Sequence, residues 1–243
     1  MKLIHAKDYW QMSRLAAEII ADIIRKRPDA VLGLATGSTP IGLYRELCRL
    51  YREGQLDFSD VRTFNLDEYV GLTADDPNSY HAYMRRNLFD HVNIAPGNTH
   101  LPNGAAEDVS AECKRYDSVV EGLGDADIQL LGIGPNGHIG FNEPHKIFDK
   151  GTHAVELAAA TVQANSKIFH GLEQTGARAI TLGIDRIMQA KRILLIADGA
   201  QKREILERAL FGEVTPNVPA SVLQLHRNLT VVEACGLEEP HIC

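Results

Sequence analysis

Short apolar runs alternate along this chain with stretches whose apolar residues recur at helical spacing, an alternation that leaves few architectures open. Ala30–Ala35, Val61–Leu66, Ile128–Leu131, His153–Leu157, Ala177–Leu182 and Arg192–Ala197 read as strands, with a short strand at the amino terminus. The segments Pro219–His226 and Leu229–Val232 finish the sheet. Between the strands, Trp10–Lys26 sets Leu15, Ala16, Ile19, Ile20, Ile23 and Ile24 on one face, and Leu43, Tyr44, Leu47 and Leu50 form a second stripe after Pro40. Asn78–Phe89, capped by Asn78 or Ser79, and Ala105–Leu123 are further helices, as are Ala158–Phe169, Ile184–Ala190 and a helix running to Leu210. Strand followed by helix followed by strand requires parallel neighbours. The reading is therefore an α/β fold, a doubly wound and mostly parallel sheet with helices on both faces, as one domain over residues 1–243.

In such a sheet ligands sit at the carboxyl ends of the strands, and the loops there are unusually polar. Thr36-Gly37-Ser38-Thr39 lies between a buried strand and a helix opening at Pro40, with Ser38 or Thr39 as the expected cap. Free backbone N–H groups and a positive helix end in one place suit a phosphate. The nucleotide P-loop ending Gly-Lys-Ser/Thr is absent. Asp67 and Glu68 follow an apolar strand, so at least one faces the crevice and both are candidate ligand contacts. Lys202, in the first turn of a helix where a cation is electrostatically unfavourable, is a candidate anion holder.

The third loop, in IQLLGIGPNGHIGFNEP (128–144), presents Asn136, His138, Asn142 and Glu143 from a glycine-rich turn. Its glycines match the dinucleotide fingerprint, yet Pro144 stands where the helix should run and no strand ending in an acid follows, which argues against a nucleotide cofactor. His138, Glu143 and His145 lack the helical histidine pairing of a metal site, so no metal is expected and acid–base chemistry fits better. The stretch 145–176 is weakly patterned and reads as a mobile flap over the site.

The balance of 25 basic against 32 acidic residues, net −7, argues against a nucleic-acid or anionic-membrane surface. Cys48, Cys113, Cys235 and Cys243 form no CxxC pair, the usage of a reducing compartment. No apolar run reaches the roughly 18 residues of a membrane span. The expectation is a soluble cytoplasmic protein.

The segments LATGSTP, FNLDEYVGL, DPNSYH, GIGPNGHIGFNEP, ARAITLGIDRI and PASVLQLH stand in this order over nearly the whole chain. Together they resemble the glucosamine-6-phosphate deaminase (isomerase) family. The resemblance implies a Rossmann-like fold and conversion of a 2-amino-2-deoxyhexose 6-phosphate and water to a ketose 6-phosphate and ammonia, with no metal or redox cofactor. It implies that Asp67 moves the proton between C2 and C1 through an enolamine, that His138 opens the pyranose ring, that Glu143 orients His138, and that Asn136, where some relatives carry Asp, acts by hydrogen bonding. Thr36, Gly37, Ser38 and Thr39 match the phosphate loop, with Glu68 beside the substrate, and Lys202 matches the phosphate lysine.

The chain also departs from that pattern. Val162 stands where many relatives carry an arginine that reaches the phosphate, a loss of about 1.5–3 kcal/mol unless Lys167 or Arg178 compensates. The segment GTHAVEL lacks the basic residues of allosterically regulated relatives, so no allosteric activation is expected. Galactosamine 6-phosphate is the nearest rival substrate, 6-phosphogluconolactonase a related hydrolase, and a non-catalytic sugar-phosphate sensor the rival from another class. The small-molecule partner is thus a hexosamine 6-phosphate, with monomer and homo-oligomer both open.

Overall fold

The computed structural model describes residues 1–157 and 177–237. Strand β1 (Lys2–His5) leads into helix α1 (Tyr9–Lys26), which begins where the Asp8 side chain accepts the Gln11 N–H and buries Met12, Ala16, Ile20, Ile23 and Ile24. Strand β2 (Val31–Leu34) and helix α2 (Ile41–Arg52) follow, then β3 (Arg62–Asn65) and the three-residue β4 (Asp67–Tyr69). Helix α3 (Tyr80–Asn87) is capped by Ser79, whose side chain accepts the Ala82 N–H. After β5 (Thr99–His100) come α4 (Val109–Leu123), β6 (Ile128–Leu131), β7 (His153–Glu156), β8 (Arg178–Thr181), α5 (Ile184–Met188), β9 (Ile193–Asp198), α6 (Arg203–Phe211) and β10 (Leu229–Ala234).

The main sheet has the order β1-β10-β9-β6-β2-β3-β5, and its pairings are parallel. Every residue of β2 and of β6 is buried, which requires cover on both faces of the sheet. From β2 the chain winds one way through β3 to β5, then returns to place β6 on the other side of β2 and continues outward through β9 and β10. The winding reverses between β2 and β6, so their following loops diverge and leave a crevice.

Three expectations are corrected. The Asp67-Glu68 pair is not in a loop but on β4, which pairs antiparallel with β8, itself paired with β7 in a separate three-stranded sheet. The apolar run Pro219–Leu225 is a 3₁₀ helix docked on the glycine-rich loop through Ala220 N–H to Gly137 O, not a strand. Helix α2 has Pro40 as its N-cap with no side-chain cap bond, because the proline side chain has no acceptor to offer; its ring instead holds a helical φ of −80°. The expected helix 158–169 and part of the flap lie outside the described residues, while His153–Glu156 forms the expected short strand.

At the opposite, amino edge of the sheet, buried Asp127 accepts the Val31 N–H (2.9 Å), Arg27 Nη1 (2.7 Å) and Lys191 Nζ (2.9 Å), tying together the starts of β2, β6 and β9. Burial works against its charge, but the bonds from Lys191 and Val31 prevail and hold its carboxyl below the usual range. A carboxyl so depressed stabilises the fold above its unfolded titration range and loses that contribution as pH falls. Asp127→Ala is expected to lower the unfolding free energy by about 2–3 kcal/mol at neutral pH. Denaturant titrations should show the gap from the parent narrowing in acid.

Candidate active site

A cleft of about 220 Å³ opens at the carboxyl ends of β2 and β6. One wall is Thr36–Pro40, the other runs from Gly132 to Phe141 and includes His138, and Asp67, Tyr80 and Lys202 close the space between. Both expected acid–base side chains, Asp67 and His138, therefore border one hollow, together with the expected phosphate loop and lysine.

The loop at residues 36–39 is braced from outside by tyrosines. Tyr44 donates to Ala35 O (2.5 Å), Tyr83 to Gly37 O (2.6 Å) and Tyr9 to Ser38 O (3.3 Å). With those carbonyls engaged behind the loop, the N–H groups of Gly37, Ser38 and Thr39 donate to no group of the chain among the described residues. Gly37 sits at φ +100°, a conformation that favours glycine. Since neither Ser38 nor Thr39 caps α2, their hydroxyls join these amides as donors for an anion. Lys202 reaches the same cleft, its Nζ donating to Ile133 O at 2.7 Å, and burial lowers its pKa. An ammonium partly stripped of water benefits from an anionic ligand more than an exposed one does.

On the other wall, Asn136, His138 and Glu143 form a small network. Asn136 Oδ1 accepts the His138 N–H (3.2 Å), and its Nδ2 donates to Glu143 Oε2 (2.6 Å). The same Oε2 lies 3.5 Å from His138 Nδ1, so the carboxylate attracts that side of the ring and leaves the other side to the cleft. The imidazole packs over Gly134, where a Cβ would stand 2.2 Å from the ring's Cε1 and Nε2. Gly134 has no positive φ. Close packing, not backbone conformation, is what demands glycine there.

Asp67 pairs across β4 and β8 with Thr181, and Gly140 leaves room beside its carboxylate: a Cβ there would lie 3.4 Å from Asp67 Oδ2 and 3.0 Å from Thr181 Oγ1. Burial first, and the charge of Glu68 second, push the Asp67 carboxyl up from 3.8 to about 8. A carboxylate of that basicity is a far better proton acceptor from carbon than an exposed aspartate.

Glu68 does not meet the cleft, which corrects its assignment as a substrate contact. Alternation along β4 turns it to the opposite side, where it is fully buried and accepts backbone N–H groups at the start of α3. Two wall residues escaped the sequence reading, Tyr80 and Phe141, whose rings stack with centroids 6.0 Å apart and planes at 9°. Their signal was present in DPNSYH and GIGPNGHIGFNEP, but nothing in the spacing told which side chains would turn inward. Val162 and Lys167 lie outside the described residues, and Arg178 is at the exposed start of β8 and does not line the cleft. Among the described residues no group of His, Cys, Asp and Glu side chains is arranged to hold a metal ion, and no helix is long and apolar enough to cross a membrane.

Residues 9–232 match the family model described as glucosamine-6-phosphate isomerases/6-phosphogluconolactonase. The chain belongs to this family. Within it, a glucosamine-6-phosphate deaminase of Lachnoclostridium phytofermentans is 53% identical over 232 residues, spanning 96% of this chain and 98% of that protein. One of Clostridium perfringens is 48% identical over 96% of each. A solved monomeric glucosamine-6-phosphate deaminase superposes with a TM-score of 0.94 at 48% identity, covering 98% of this chain and all of that one. The 6-phosphogluconolactonase of Trypanosoma cruzi, at 19% identity and a TM-score of 0.76 over all of this chain and 97% of that one, shares the fold of this isomerase/lactonase family member.

Two measurements follow from the site's geometry. Gly134→Ala should displace the His138 ring and cut turnover roughly 100-fold, with thermal stability much less affected. Asp67 binds its proton more tightly folded than unfolded, so it favours the fold in acid, and that contribution is lost as pH rises through the interval from 3.8 to about 8. Asp67→Asn removes this titration. Its stability should exceed the parent's by an amount that grows through the same interval and levels off above it, on the order of a few kcal/mol.

Proposed function

We propose that this protein is a glucosamine-6-phosphate deaminase, converting glucosamine 6-phosphate and water to fructose 6-phosphate and ammonia. The observation that carries the reading is the shared cleft: a cradle of free amides and hydroxyls, Lys202, a buried basic carboxylate and an imidazole all line the same hollow. Family membership and the close relatives' activity support it.

The phosphate binds the N–H groups of Gly37, Ser38 and Thr39, the hydroxyls of the loop, and the N–H donors of Lys202 that Ile133 O leaves free. Anchoring one end of the sugar sets the position of C1 and C2. His138, oriented by Glu143 and Asn136, passes the proton from the C1 hydroxyl to the ring oxygen as the hemiacetal opens. Ionised Asp67 then takes the hydrogen of C2, the electron pair forms the C1–C2 double bond of an enolamine, and the aldehyde oxygen takes a proton from the substrate's own ammonium group. Return of the proton from Asp67 to C1 moves the double bond to nitrogen. Water adds to C2 of the resulting iminium, and the C–N bond breaks to release ammonia and the ketose.

Ammonia release from purified protein and glucosamine 6-phosphate tests the reading. Asp67→Asn should lower turnover by roughly 10²–10⁴-fold while ligand binding survives. In the parent, kcat/KM should fall as pH drops below the range in which Asp67 ionises. Absence of ammonia from the parent protein would refute the proposal.

A further inference from the structure

Glu68 has no place in the cleft, yet its surroundings are specific. Its Oε1 accepts the N–H groups of Tyr69 (2.8 Å) and Tyr80 (3.0 Å), and its Oε2 accepts the His81 N–H (3.1 Å) and lies 2.9 Å from His81 Nδ1. The residue is 0% exposed. An amide in its place would offer one acceptor oxygen where the site uses both. The amino-terminal amides of α3 compensate a negative charge, so a buried carboxylate is retained there beside a half-buried histidine alone. The helix thus held carries Tyr80 into the cleft wall, and the strand thus held carries Asp67 on its other side.

We propose that Glu68 is a positioning residue for the proton transfer, pinning α3 to β4 and holding its carboxylate behind Asp67. The inference rests on the reading of Asp67 as the base. The groups facing Asp67 leave Glu68 as the anion beside it. Tyr44 of α2, Tyr80 of α3, Tyr116 of α4 and Tyr69 of β4 lie within electrostatic reach of it, all with hydroxyls held neutral by burial. Across the cleft stand His138 and Lys202, which oppose the effect of Glu68 when they are charged. Behind Glu68, His81 is its partner, and Glu112 of α4, itself paired with Arg115, lies within electrostatic reach of that imidazole. Like charge disfavours ionisation of a neighbouring carboxyl, in agreement with the second cause of the raised Asp67 value.

The test is kcat/KM against pH for the parent, Glu68→Gln, His81→Ala and Asp67→Asn, with circular dichroism on each. Removing the charge with Glu68→Gln should move the acid limb to lower pH by roughly half a unit or more and slow the plateau several-fold. His81→Ala, at a side chain only partly covered, removes a partner of Glu68 and should move the limb the other way. A merely structural anchor would lower the rate without moving the limb. Inactive Asp67→Asn with both limbs displaced in opposite senses supports the proposal. Inactive Asp67→Asn with limbs at the parent's position in folded variants overturns it while leaving the base in place, and if Glu68→Gln does not fold, the limb of His81→Ala decides. Full turnover by Asp67→Asn would overturn the base and this inference together.

Discussion

Between β2 and β6 the main sheet reverses its winding, and the other features of the site depend on the gap this opens. The loop after β2 brings backbone amides and hydroxyls, and the loop after β6 brings an imidazole and its carboxylate. Neither loop holds itself in shape. Tyrosines from α1, α2 and α3 occupy the carbonyls of the first, and the 3₁₀ helix at Pro219–Leu225 supports the second through Gly137. Close packing enforces small residues at the contact points, as the imbrication of His138 on Gly134 shows.

The second sheet supplies what the first cannot. A residue on a central parallel strand is sandwiched between helices, whereas β4 leaves the main sheet after Asn65 and pairs with β8, so its side chains have a cleft on one side and α3 on the other. Asp67 takes the first position and Glu68 the second. Burial that raises the basicity of Asp67 also makes its ionised form costly to the fold, a conflict between stability and reactivity concentrated in one side chain. The sheet is stabilised elsewhere, including at its far edge by the Asp127 cluster.

Much of this was legible in the sequence, for a physical reason. Ile128–Leu131 is buried on both faces, so its three apolar residues, with buried Gln129 among them, mark the strand. The helix start at Ser79 follows side-chain capping rules, and the polar residues past the apolar strands pointed to Thr36–Thr39, Asp67, His138 and Lys202, which line one cleft. What escaped was non-local. Strand β4 is three residues long and exists because β8 lies more than a hundred positions away, so no local pattern told that Glu68 would face α3 and not the ligand. Pro219–Leu225 carries enough apolar residues for a strand, yet it is a 3₁₀ helix docked on the loop of Gly137, a partner more than eighty positions away. Tyr80 and Phe141 reach the cleft through packing with each other that spacing does not encode.

The most direct measurement is a crystal structure with 2-amino-2-deoxyglucitol 6-phosphate, a reduced and ring-opened form of the substrate. The phosphate is expected on the amides of Gly37, Ser38 and Thr39 with Lys202 Nζ against it, C1 and C2 within reach of the Asp67 carboxylate, and the C5 oxygen turned toward His138. A phosphate seated elsewhere, or an amino-bearing carbon held away from Asp67 with protein between them, would contradict it.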